Sequence, residues 1–556
     1  MIKLYIFGFF VVFSGLLNVQ SSKAQKTELR NLGPEVNTPQ DESAPVITSD
    51  AQKLYFWSLE RPGGYGFQDI YVAEKDTGYT WHRVRNIGQP LSDAGANILL
   101  SISPDGQRLL VYSEKAEAIK RGRDKRAMKK LKPKKVLTAA DSLKLKQRAD
   151  AEAVRKAAEA AKNANLTDLA LVGKDVDRFA VFEQLRMDKY IEQTTDFSAY
   201  LAADGKTLLL SMIMPDGQGQ DDLYVSFYDE ETHVWSAPRS LGAYINTSHS
   251  EITPFLAPDG ITLYYSSNSP EGLGGYDVYK TQRLDSTWRN WTTPKNLGSR
   301  INGSGNEYHF KFAADADVAY LMSTSPADTS YGGKDIYWVK LQPEDKPKPV
   351  VLVKGRVLNQ LTKQPVEAYI SYLVLPEGNE VGGAHSDPKT GEYTIILPAG
   401  FNYTVLADGE GFIAVSENLN VEKTSSPFEL VERDLYVVPV EKGQTVLLNN
   451  LFYETGKFKL KPDSKPELER LVLLMELYPN LKIEIAGHTD NVGAETVNKP
   501  LSENRAKSVL NYLIERGVAP SRVIARGYGS AQPKVPNKDE KSRAMNRRVE
   551  FRILEL

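Results

Sequence analysis

The residues of this chain whose types and spacing could do chemistry cluster near the carboxyl end. A loop reads Gly487-His488-Thr489-Asp490-Asn491-Val492-Gly493, followed by Asn498-x-x-Leu501-Ser502-x-x-Arg505-Ala506 and, later, Asn546-Arg547-Arg548-Val549. An amino-acid head needs an anion for its ammonium and a planar two-pronged donor for its carboxylate, and Asp490 and Arg505 could supply one each. The competing reading is an ordinary surface salt bridge, which is what an isolated Asp–Arg pair most often is. Nothing points to catalysis. There is no Gly-x-Ser-x-Gly elbow and no His-Glu-x-x-His, and the 6 histidines stand singly at 82, 233, 249, 309, 385 and 488. With 0 Cys, thiolate metal sites, disulfides, a cysteine nucleophile and a lipid-bearing cysteine are all excluded. No metal and no cofactor is expected.

The elements around this cluster follow from periodicity. A strand is expected around TVLLNNLFYETGK, then a helix burying Leu468, Leu471, Val472 and Met475, then the alternating strand Lys482-Ile483-Glu484-Ile485. The second helix is expected to start at Ser502 as N-cap, bury Ala506, Val509, Leu510, Leu513 and Ile514, and end at Gly517. On that reading Arg505 lies in the first turn, where free N–H groups and the dipole favour a bound carboxylate. Strands at Val523 to Tyr528 and Asn546 to Ile553 close an α/β sandwich over 441–556.

The three motifs resemble the OmpA-like C-terminal domain, and all stand at that family's relative positions. The resemblance implies that Asp490 and Arg505 hold the zwitterionic end of diaminopimelate in the peptidoglycan stem peptide. Thr489, Asn498 and Arg547 are further candidate binding residues, with His488 and Thr489 shaping the loop.

A chain of 556 residues exceeds one hydrophobic core, and a net charge of -2 supplies no global field for nucleic acid or an anionic membrane. Residues 1–24 read as a signal peptide, with Lys3, the apolar run Leu4 to Leu17 and a Ser22-Lys23-Ala24 cleavage site. That run is shorter than the ~20 residues that span a bilayer, so the expectation is an exported periplasmic protein with no transmembrane segment after cleavage.

Over 25–342 a two-part pattern repeats. Turns at Asp50, Asp105, Asp204, Asp259 and Asp315 each precede an apolar strand, at intervals of 55, 99, 55 and 56 residues. Second strands begin at Asp69, Asp222, Asp277 and Asp335, and an Asn/Ser-Leu/Ile-Gly element follows at 86, 240 and 296. An orphan copy, Asn31-Leu32-Gly33, precedes everything and would close a ring whose last unit lacks an outer strand. The repeat resembles the TolB-like, WD40-like β-propeller repeat, with five blades expected and six as the alternative. The Asp turns are read as turns, with calcium or ligand binding at the blade tops as the alternative. The long interval holds an insertion at about 115–190, expected to be a helical arm, with 11 Lys/Arg against 2 acids over 115–135.

Residues 343–349 read as a Pro-rich linker, and 350–440 as a β-sandwich built from VVLVKGRVL, AYISYLVL, EYTIIL, NYTVLAD and LYVVPV. The runs Gly355-Arg356-Val357, Lys363-Gln364-Pro365-Val366 and Thr390-Gly391-Glu392-Tyr393 resemble the carboxypeptidase regulatory-like (transthyretin-like) domain. This domain order is similar to periplasmic OmpA family proteins of Bacteroidota, including wall-binding accessory subunits of type IX secretion, which typically add a lipidated cysteine and helical repeats that this chain lacks. The resulting expectation is a non-catalytic scaffold that binds the wall at one end and presents propeller and sandwich to an outer-membrane-associated complex. The alternative is a sensor or glycan-binding protein whose propeller takes a small ligand.

Overall fold

The computed structural model describes residues 27–76, 78–92, 95–113, 165–175, 178–190, 198–229, 232–325, 330–422 and 428–556. The chain is multidomain, and its described residues are mostly β with few helices. Residues 1–24, expected to be a signal peptide, and the basic stretch 115–135 lie outside the described residues.

Five antiparallel sheets follow one another. Sheet I contains Glu42–Ile47, Lys53–Leu59, Gln68–Lys75 and Trp81–Asn86; sheet II contains Asn97–Ile102, Arg108–Ser113, Asn165–Asp175 and Arg178–Met187. Sheet III is formed by Ser198–Leu201, Thr207–Met212, Asp222–Asp229 and Arg239–Ser240, and sheet IV by Glu251–Leu256, Thr262–Ser267, Asp277–Gln282 and Lys295–Asn296. Sheet V is formed by Glu307–Phe312, Val318–Ser323 and Asp335–Lys340, and its fourth strand is Arg30–Asn31, paired antiparallel with Arg30 opposite Trp338. A single parallel pairing of Trp235 with Met187 joins sheets II and III. The first strands of the five sheets neighbour one another in cyclic order, the fifth lying beside the first.

Apolar residues on both faces of each strand make this possible. Leu54 and Phe56 pack toward sheet V, Tyr55 and Val72 toward sheet II, and the same division gives one buried cluster at every joint of the ring. Polar side chains register the joints. Asn37, Asn246 and Asn302 each bond a backbone N–H and C=O of the preceding sheet, at Ile336, Leu223 and Val278. Buried Glu42, Glu251 and Glu307 open the first strands and accept from Ser58, Ser267 and Ser323.

Two expectations change here. Residues 165–187 are not part of a helical arm: they supply the two outer strands of sheet II, so the insertion enters between the sheet's second and third strands. The turn aspartates also do more than turn. Each does bond the backbone two residues on, as Asp105 accepts from the Gln107 amide, but three of the five turns also contact the next domain and a fourth contacts the segment leading into it. Asp50 pairs with Lys354 at 3.5 Å, Asp105 accepts from the His385 amide, Lys206 pairs with Glu380 at 2.7 Å, and Asp259 accepts from the Lys348 amide. The segment 343–349 is docked rather than free: Asp345 is buried, pairs with Arg300 and accepts from Tyr264 through its carbonyl.

Residues 350–440 form two facing sheets. One has Val350–Asn359 at its centre between Glu392–Pro398 and the parallel strands Phe428–Glu432 and Leu435–Pro439; the other runs Asn379–His385, Tyr369–Val374, Asn402–Asp408 and Val415–Asn420. All five expected strands are present. The core between these sheets is continuous with that of the C-terminal domain, and the seam is bonded where Asn449 donates to the Ser416 carbonyl and Arg470 to the Ala414 carbonyl.

The last domain has a four-stranded sheet in the order Thr445–Leu447, Val549–Glu555, Lys482–Gly487, Val523–Gly527, with the last two parallel. Three helices accompany it: α1 (Lys465–Leu477), α2 (Glu495–Glu515) and α3 (Glu540–Asn546). Helix α1 buries Leu468, Leu471, Val472 and Met475 as expected. Only Thr445–Leu447 of the first expected strand forms a ladder, and Asn546 ends α3 instead of opening the last strand.

Candidate functional site

The loop after Lys482–Gly487 is placed by close packing of α2 on the sheet. A Cβ on Gly487 would lie 2.1 Å from the Ser502 carbonyl, and one on Gly527 2.4 Å from the Glu503 amide nitrogen, so only glycine lets the helix come this near. Helix α2 starts eight residues earlier than expected, after Ala494, and carries Pro500 in its first turns. Lying past the first turn, this proline supplies no N–H toward the Thr496 carbonyl, so the helix forgoes one internal bond there. Ser502 is therefore no cap: it is buried, donates to the Lys499 carbonyl and accepts from the Gly529 amide. Arg505 lies mid-helix, which removes the helix-dipole contribution expected for it. Of the expected buried stripe Ala506, Val509 and Leu513 are buried, Leu510 is partly so and Ile514 is exposed. The far end matches expectation: Gly517 adopts φ +95°, with its amide bonded to Ile514 and that of Val518 to Leu513, a Schellman closure.

Asp490 is 7 % exposed, not an open surface residue. Its Oδ2 accepts from Arg547 Nη1 at 2.7 Å and its Oδ1 from the Val492 amide at 3.0 Å. Burial pushes the Asp490 carboxyl up, but the bonds from Arg547 and Val492 outweigh it and hold it below its ordinary value. Thr489 donates from its hydroxyl to the Asp490 carbonyl, and its amide bonds the Gly529 carbonyl. Buried Asn498 donates to the Val492 carbonyl at 3.1 Å and, more weakly, to those of Asp490 and Gly493. Both side chains fix the loop. Arg547, expected as a secondary contact, is the direct partner of Asp490 and is itself anchored by Glu540 at 2.7 Å.

Arg505 is half-buried. Its Nε donates to the Lys457 carbonyl at 3.1 Å, and its guanidinium lies over the Tyr453 ring, 4.9 Å from the centroid. Burial lowers its pKa, with Asp490 and Arg547 near enough to add opposing Coulombic effects. Its Nη1 and Nη2 make no hydrogen bond among the described residues, and no Asp490–Arg505 salt bridge forms. The ion pair is Asp490–Arg547, which leaves a guanidinium fork free near a held carboxylate. Sequence reasoning missed Tyr453, hidden in an expected strand, and the Glu540 buttress of Arg547. Their spacing carried no signal, because the contacts bridge separate elements.

Below the loop, His488 is buried and stacks on Tyr528 with centroids 5.2 Å apart, and its Nε2 lies 3.3 Å from Glu550 Oε1, off hydrogen-bond angle. Burial raises the Glu550 carboxyl, but His488 and Arg548 override this and bring it down to about 2. Among the described residues no group of His, Asp and Glu is arranged to hold a metal ion.

Helices thus pack on a mixed sheet, with the Asp490 carboxylate on the loop and the Arg505 guanidinium on α2 beside it. Residues 452–547 match the model of the OmpA family, so the C-terminal domain is an OmpA family domain. This region is 43% identical over 101 residues to outer membrane porin F of Pseudomonas fluorescens, covering 18% of this chain and 31% of that protein. It is 43% identical over 84 residues to the peptidoglycan-binding protein ArfA of Mycobacterium bovis, covering 15% and 26%. The solved cell wall anchor of the T6SS from Pseudomonas aeruginosa is similar at 26% identity and TM-score 0.19, over 20% of this chain and 80% of that one. The chain thus spans less than a third of the porin and of ArfA. The relatives named here are called a porin, a peptidoglycan-binding protein and a cell wall anchor. No helix among the described residues is long and apolar enough to cross a membrane.

Proposed function

We propose that the C-terminal domain binds the diaminopimelate end of a peptidoglycan stem peptide, with Arg505 taking the carboxylate and Asp490 the ammonium. The observation that carries this reading is the unsatisfied fork of Arg505, clamped at Nε and on Tyr453 so that both terminal nitrogens remain for a ligand. Arg547 holds Asp490 ionised and oriented, and Thr489 and Asn498 stiffen the loop. Similarity to a protein named for peptidoglycan binding supports the same ligand.

The five sheets are read as a five-bladed β-propeller over 25–342, closed by Arg30–Asn31, and 350–440 as a carboxypeptidase regulatory-like sandwich. The cyclic contacts and the joint clusters support the first, and the facing sheets the second. The whole is a periplasmic scaffold: the wall holds one end while propeller and sandwich meet an outer-membrane-associated complex, with type IX secretion the candidate by domain order. Co-sedimentation of the purified chain with isolated sacculi tests the wall reading. The parent should pellet and Arg505→Ala should stay in solution; equal pelleting of both sinks the assignment.

A further inference from the structure

The docking of the sandwich onto the turn face of the ring encloses a cleft at the seam of sheets II and III. Its volume is about 410 Å³, within the range of small-molecule sites, which favour domain interfaces and walls that are mostly apolar with a few polar groups. Tyr228, Trp235 and Leu171 form the ring side and Tyr369 and His385 the sandwich side. The two aromatic walls are braced independently. The Tyr228 ring sits 5.4 Å from that of Trp235 and its hydroxyl bonds His233 at 2.9 Å. Tyr369 sits 5.1 Å from His385 and donates to Glu380 at 2.9 Å. Gly383 keeps the sandwich wall open, since a Cβ there would lie 2.0 Å from the Tyr369 hydroxyl oxygen.

Most charges around the cleft are already committed. Asp204 accepts from the amides of Lys206 and Thr207 and from the Thr207 hydroxyl; Asp105 accepts from Ser103, Gln107 and the His385 amide; Lys206 pairs with Glu380. Burial, then the nearby Arg108, brings His385 down to about 4, so its ring is neutral near pH 7. Besides Glu183 and Arg186, which also line the cleft, two polar groups bear on a ligand. The exposed Arg108 guanidinium makes no hydrogen bond among the described residues, and Gln184, whose amide nitrogen is spent on the Thr167 carbonyl, has a buried Oε1 with no partner. A buried acceptor without a donor costs on the order of 1–3 kcal/mol, a cost that a ligand hydroxyl or amine would remove.

We infer that this seam is a binding site for a small amphipathic anion: an aromatic or alicyclic body lies between the Tyr228 and Tyr369 walls and its carboxylate or phosphate meets Arg108. The ligand bridges ring and sandwich, so it strengthens their contact. This inference rests on the ring-to-sandwich docking and not on the wall site, so either can fail without the other.

The test is calorimetric titration of the full-length mature chain with phenyl phosphate, with inorganic phosphate and phenol as the two halves of the probe. Phenyl phosphate should bind at one site more tightly than either half. Arg108→Ala should weaken it roughly tenfold or more, the value of a lost charge-assisted bond, and Ala203→Trp, which fills the cleft, should abolish it. Both variants should still pellet with sacculi. Absence of binding by phenyl phosphate, or an unchanged affinity in either variant, overturns the proposal.

Discussion

Replacing Arg505 separates the part proposed for it in binding from its part in folding. The guanidinium is fixed by the 3.1 Å bond to Lys457 and by the Tyr453 ring 4.9 Å away. A ligand carboxylate accepting from both free nitrogens would make two charge-assisted hydrogen bonds, each of about 1.5–3 kcal/mol. Arg505→Ala should therefore cost about 3–6 kcal/mol of binding, or roughly two to four orders of magnitude in Kd. Arg505→Lys keeps the charge but loses the fork and the stacked plane, and should retain part of the affinity, with a loss of about 1.5–3 kcal/mol. The cost to the fold is smaller: one hydrogen bond and one cation–π contact at a half-exposed site, about 1 kcal/mol together. Titration of a diaminopimelate-containing muramyl tripeptide into parent, Ala and Lys variants, with a thermal melt of each, measures both quantities. Arg505→Ala binding within threefold of the parent, or the Lys variant falling as far as the Ala variant, would refute the reasoning.

Other outcomes follow from the same contacts. Because Arg547 holds the Asp490 carboxyl below its ordinary value, parent binding should persist as pH falls through 4, whereas Arg547→Ala should lose tripeptide binding at a higher pH; coincident pH profiles would contradict the coupling. Glu550, at about 2, should stabilise the folded C-terminal domain fully above the unfolded carboxyl value of 4.5 and lose that contribution as pH falls toward 2. Denaturant midpoints of Glu550→Gln and parent should accordingly differ at pH 7 and converge near pH 2. Asn302→Ala removes bonds to both the N–H and the C=O of Val278 at a buried joint, and should destabilise the ring by about 2–4 kcal/mol in urea unfolding. Deleting residues 27–37 exposes the outer edge of sheet V, and size-exclusion chromatography should then report self-association.

Local patterns carried much of the architecture. The 55-residue rhythm of Asp turns marked the repeats, the orphan Asn31-Leu32-Gly33 marked the closing strand, and three short motifs marked the loop and helix of the C-terminal domain. These are legible because turn chemistry and apolar alternation depend on residues a few positions apart. Tertiary structure decided what depended on distant partners. Asp490 meets Arg547 across 57 residues rather than Arg505, and the turn aspartates became docking points once the sandwich lay over them. The start of α2 moved from Ser502 to the residues after Ala494 because Gly487 and Gly527 let the helix press on the sheet with Ser502 inside. Spacing along the chain reports which groups are available. Which of them share a cleft, and which are already neutralised there, is set by how whole elements pack, because the electrostatic and hydrogen-bond energies involved depend on separation in space and on exclusion of water.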